Sequence, residues 1–204
     1  MKRLFITIVL LMLLYSLVLM IVELRTSQEF VRNFFTDIDG PVPFFAINTT
    51  LSVFLLWSTA LMFLVCIACG KNGASSFVSR RFFATQIILF GYLGADDRFK
   101  LHEHLGWWLS VPDHFILITV AAIEIVLLVT IGRNLLTSRA LTFLMLACAF
   151  FAVMIVIDAW VPHDLLLRLT LEDLSKTWSA LFFFMFSWSV FEQCLDDLMQ
   201  TREI

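Results

Sequence analysis

Charge is scarce in this chain. Only 15% of its 204 residues are Asp, Glu, Lys or Arg, against roughly 25% in a soluble domain. Hydrophobic residues make up 60%, including 22 Phe, 6 Trp and 8 Met, more apolar surface than one soluble core of this length buries. There is no basic run and the formal net charge is −3, so nucleic acid is not an expected partner. The apolar runs are continuous rather than alternating, which excludes a transmembrane β-barrel. Cysteine is limited to Cys66, Cys69, Cys148 and Cys194. Cys66 and Cys69 form a C-x-x-C with no second pair, so they read as small buried hydrophobes rather than zinc or redox groups. No small-x-small cleavage site follows the apolar run Leu4 to Val22, which is therefore an uncleaved first span. Repeats and low-complexity tracts are also missing, so residues 1–204 form a single integral membrane domain.

What is present is a series of runs long enough to cross the hydrocarbon, each of about 20 apolar residues. The expected fold is all-α, a polytopic transmembrane helix bundle with spans at 4–23, 43–69, 82–107, 113–132, 140–161 and 177–195. Between the first two, Phe30, Val31, Phe34 and Phe35 recur at helical spacing among polar residues. That pattern predicts an amphipathic segment over 24–39 lying on the membrane surface. Asp39-Gly40-Pro41-Val42-Pro43 then supplies turn chemistry. Basic residues in short loops set orientation. Placing both termini in the cytoplasm leaves Lys2, Arg3, Lys71, Arg80, Arg81, Arg133, Arg139 and Arg202 inside, and Arg25, Arg32, Arg168 and Lys176 in the outer loops. All four His then fall at the outer face.

The third span runs, without proline or a loop signal, into Ala95-Asp96-Asp97-Arg98-Phe99-Lys100-Leu101-His102-Glu103-His104. Charge inside a bilayer costs several kcal/mol per group unless paired, hydrated or ligated, so these residues are functional-site candidates. Counted from Arg81, Asp96 lies roughly 21 Å along the helix and His102 about 30 Å, the outer leaflet and the outer interface. On a regular helix Asp96, Asp97, Lys100, Glu103 and His104 share a sector of roughly 120°, with Arg98 and His102 on the opposite side. Either His102 meets a second neighbour or the helix loosens after Asp97. Asp96 is spaced to pair with Lys100, but the acids outnumber that base. Asp96, Asp97 and Glu103 are the candidate catalytic residues.

Other spans offer partners at the same depth. Asp158, His163 and Glu172, with His102 and His104, make a candidate ligand set for a divalent transition metal. No HExxH or ExxH spacing accompanies them. Glu124 lies about 16 Å into the fourth span from Pro112 with apolar flanks; it is the most isolated acid and the candidate proton-binding group. Asp96, Asp97, Glu103, His104, Glu124, Asp158, His163 and Glu172 are expected to converge. Trp107, Trp108 and Trp160 suit an interfacial aromatic belt. Phe182-Phe183-Phe184-Met185-Phe186 with Trp188 suits packed or lipid-facing bulk.

The segment Leu93-Gly94-Ala95-Asp96-Asp97-Arg98-Phe99-Lys100-Leu101-His102-Glu103, with Leu171-Glu172-Asp173-Leu174 ahead of the last span, is similar to a pattern in uncharacterised bacterial six-span membrane proteins. There an acidic pair is followed by His-Glu at the end of one helix, and an acidic pair opens a later one. The resemblance covers two short windows; it implies a six-span protein of the bacterial inner membrane and carries no activity. Three functions are compatible with the residues. The first is an enzyme, metal-dependent or not, acting on a lipid or lipid-linked substrate at the outer leaflet. The second is a non-catalytic subunit partnered by other membrane proteins, and the third is proton or ion translocation through Glu124.

Overall fold

The computed structural model describes residues 2–32, 34, 46–69, 77–132, 135–162 and 165–202. Among them every regular element is helical: α1 (Lys2–Arg25), α2 (Gln28–Arg32), α3 (Ile47–Cys69), α4 (Phe77–Phe99), α5 (Leu101–Leu109), α6 (Asp113–Leu127), α7 (Ser138–Trp160) and α8 (Arg168–Arg202). A π-helical turn, Leu128–Gly132, extends α6. Ile6–Arg25, Ile47–Cys69, His114–Gly132 and Ser138–Trp160 are long and apolar enough to cross a membrane, and the chain is a helical membrane protein. The expected third and sixth spans fall in α4 and α8, which are not among these four.

α8 owes its place to being polar and small on its inner face. From Asp173 to Val190 it is buried at almost every position, with α7 and α3 packed along its length and α1 and α2 against its first half. Ser175, Thr177, Ser179, Ser187 and Ser189 are among the buried residues. Short side chains let helices approach closely in a membrane, and their hydroxyls return to backbone carbonyls: Thr177 to Asp173, Ser187 to Phe184, and Ser179 across to Ala147 of α7 at 2.9 Å. Phe63 of α3 organises the apolar core. Its ring stacks on Phe90 at 6.0 Å and meets Phe186 at 5.6 Å and Phe82 at 6.3 Å. Phe182, Phe183, Met185 and Phe186 are buried here, as packed bulk. Gly132 is required by the same core, since a Cβ there would stand 2.8 Å from the fully buried Phe82 ring. The outward side chains of α1, α3, α6 and α7 are exposed and apolar, as a lipid-facing surface demands.

The span expected over 82–107 is interrupted at Lys100, which takes a left-handed conformation (φ 53°, ψ 44°) and separates α4 from α5; of the two outcomes that helical phase left open, the helix loosens after Asp97. Within the amphipathic segment expected over 24–39, the described residues include the short helix α2 (Gln28–Arg32), where Val31 is fully buried. Phe35 lies outside the described residues.

Candidate functional site at the polar end of the bundle

The C-terminal ends of α1, α4 and α7 meet the N-terminal ends of α3 and α8, and the polar contacts collect there. Glu23, 1% exposed at the end of α1, accepts the Leu167 N–H at 2.7 Å and the Thr170 hydroxyl at the start of α8. A carboxylate there satisfies donors that a helix N-terminus leaves without partners and complements its dipole. Asn48 of α3 is fully buried and donates to the Asp173 carbonyl at 3.1 Å.

The break at Lys100 decides the geometry of the next pair. A continuous helix would turn His102 away from Asp96; the left-handed residue brings it back. Asp96 is 4% exposed, and both its oxygens are used on one residue. Oδ1 accepts the His102 main-chain N–H at 2.6 Å, and Oδ2 lies 2.8 Å from His102 Nδ1. The carboxylate thus caps the first turn of α5 and orients the imidazole at once. An ionised carboxylate only accepts, so Nδ1 carries a proton and Nε2 is the ring's basic nitrogen. The expected Asp96–Lys100 pair does not form. Lys100 instead contacts Glu103 at 3.0 Å, both exposed.

Acidic charge in excess of Lys100 finds its partners on α8. Lys176 bridges Asp97 at 2.8 Å and Asp173 at 3.1 Å, and the Ser52 hydroxyl also donates to Asp97. Arg168, 7% exposed, reaches the Asp158 carboxylate at 3.2 Å, the Asp158 carbonyl at 3.1 Å and Glu172 at 2.9 Å. The Glu172 contact is an ion pair without hydrogen-bond alignment. Burial first, and then the neighbouring Asp173 and Asp158 carboxylates, push the Glu172 carboxyl up to about 7 in spite of Arg168 and Lys176.

Most of these carboxylates, with Lys176, line one cavity of about 520 Å³. Asp96, Asp97, His102, Glu103, Asp158 and Glu172 border it together with Asp173 and Lys176, while Leu56, Leu93, Leu117, Phe151, Met154 and Phe183 form its apolar wall. Six residues singled out in the sequence therefore share a site. His104 does not line it; its ring turns to the Lys100 carbonyl at 2.8 Å. Glu124 is also elsewhere, and it is not isolated: Gln86 of α4, fully buried, donates to both of its oxygens at 2.8 and 3.0 Å. His163 lies outside the described residues. Among the described residues no group of three or more His, Cys, Asp and Glu side chains is placed to hold a metal ion. Ser52, Arg168 and Lys176 escaped sequence reasoning, although Arg168–Glu172 at i,i+4 and Asp173–Lys176 at i,i+3 are ion-pair spacings.

Among the described residues, Trp107, Trp108 and Trp160 are the most exposed aromatic side chains, as interfacial tryptophans are. Residues 3–190 match a family model described as a domain of unknown function (DUF8692). No curated protein and no solved structure matches the chain.

Proposed function

The chain belongs to the DUF8692 family, and from its site we propose that it is a membrane enzyme whose cavity holds the polar end of a lipid or lipid-linked molecule while His102, oriented by Asp96, acts there as a general base. The observation that carries this reading is the Asp96–His102 pair bordering a cavity with one charged wall and one apolar wall. A buried carboxylate that fixes the imidazole tautomer is the arrangement general-base chemistry needs. A left-handed non-glycine residue at Lys100 is backbone strain of the kind that accumulates at working sites. In this reading both termini are cytoplasmic, as the excess of basic residues in the inner loops supports, and the cavity belongs to the outer leaflet.

The reaction class is ester hydrolysis. His102 Nε2 takes a proton from water, and the hydroxide adds to the acyl carbonyl. The C–O bond to the alcohol then breaks and the imidazolium returns the proton to the leaving oxygen, giving a carboxylic acid and an alcohol. General-base assistance is worth roughly 10²–10⁴-fold. The protein in nanodiscs of phosphatidylethanolamine and phosphatidylglycerol is expected to release fatty acid, followed by mass spectrometry. His102→Gln is expected to cut the rate at least about 100-fold, whereas His104→Gln, at a residue that does not line the cavity, leaves it within about twofold. Release that is absent in the wild type, or undiminished in His102→Gln, overturns the proposal.

A further inference from the structure

The cavity also selects by charge. We propose that the head group it accepts bears a cationic amine, of the kind carried by phosphatidylethanolamine, rather than a purely anionic one. This rests on the amphiphile reading of the cavity given above.

The lining holds six carboxylates, Asp96, Asp97, Glu103, Asp158, Glu172 and Asp173, against the cations Arg98, Lys100 and Lys176. Arg168 sits just behind. Lys176 is engaged by Asp97 and Asp173, Lys100 by Glu103, and Arg168 by Asp158 and Glu172. An anionic head group drawing on Lys176 would take it from Asp97 and Asp173, whose side chains are nearly buried, which leaves uncompensated charge in a poorly hydrated place. An ammonium brings charge of the sign the lining has less of, with six carboxylates to three Lys and Arg side chains. At Glu172, burial first, and then Asp173 of α8 and Asp158 of α7, raise the carboxyl to about 7 against Arg168 and Lys176. A cation placed beside Glu172 stabilises the ionised carboxylate there. The apolar wall, from Leu93 and Leu117 to Phe151 and Met154, leaves room for acyl chain below an amine held at the charged rim.

The test is native mass spectrometry of the full-length protein released from nanodiscs containing equal amounts of phosphatidylethanolamine and phosphatidylglycerol. At pH 8, where Glu172 is ionised, one retained lipid per protein is expected, with the ethanolamine lipid at least tenfold enriched. Glu172→Gln keeps the shape of the protonated side chain and is expected to lower the enrichment to threefold or less. One lipid retained without preference, or with phosphatidylglycerol favoured, overturns the amine inference and leaves the cavity reading standing. A preference unchanged in Glu172→Gln also overturns it. No lipid retained in either form overturns both.

Discussion

Lys176→Met is expected to lower the thermal unfolding temperature of the detergent-solubilised protein by on the order of 10 °C. The reason is that Lys176 holds two carboxylates together, at 2.8 Å from Asp97 and 3.1 Å from Asp173, whose side chains are 6% and 11% exposed. Removing one partner of a buried ion pair strands the other charge, a loss of about 3–5 kcal/mol, and here two charges are stranded. A protein of about this size shifts by roughly 2–4 °C per kcal/mol. Lys176 keeps some contact with the cavity, so the lower end of that range applies. The companion variant separates charge from packing. Asp97→Asn with Asp173→Asn in the Lys176→Met background removes the stranded charges and recovers a good part of the loss. If the triple variant is no more stable than Lys176→Met alone, the lysine acts by filling space and the network account fails.

Glu23→Ala is expected to destabilise by about 3 kcal/mol, since it leaves the Leu167 N–H and the Thr170 hydroxyl without an acceptor, and each buried donor so stranded costs about 1–3 kcal/mol. Glu23 also closes the N-terminus of α8 onto the end of α1. Limited proteolysis therefore has a directional outcome: cleavage between α7 and α8 accelerates in Glu23→Ala before the rest of the bundle opens. Glu23→Gln retains one carbonyl acceptor and falls between the two. A wild-type unfolding temperature and wild-type proteolysis in Glu23→Ala contradict the contact's role.

The class of fold and much of the site were legible in the residues, for a definite reason. Charge is so rare in this chain that each ionisable group stands out, and helical rise alone put Asp96, Asp97, Glu103, Asp158 and Glu172 toward the outer end of the bundle, the Asp pair deeper than Glu103. What depth cannot provide is azimuth across helices. Lys176 and Arg168 were placed among loop charges because hydropathy falls before Thr177, yet the helix begins at Arg168 and carries both inward. Glu124 looked isolated for the same reason, since Gln86, its partner, lies on another helix and is uncharged. The break at Lys100 has no proline or glycine to announce it; the Asp96 carboxylate that caps the new helix is its visible cause. Phase analysis did put His102 and Asp96 on opposite sides of a regular helix. That incompatibility was the sequence's trace of the break.

The central claim, that Asp96 fixes His102 as a base, is tested most directly by the pH profile of lipid hydrolysis in Asp96→Asn. An asparagine amide can donate to Nδ1, which forces the proton onto Nε2 and removes the base. The account predicts a rate at least about 100-fold below wild type with the bound lipid still present by native mass spectrometry, and loss of the rise in rate that accompanies deprotonation of the imidazole. An Asp96→Asn protein with the wild-type rate and the wild-type pH profile would contradict it.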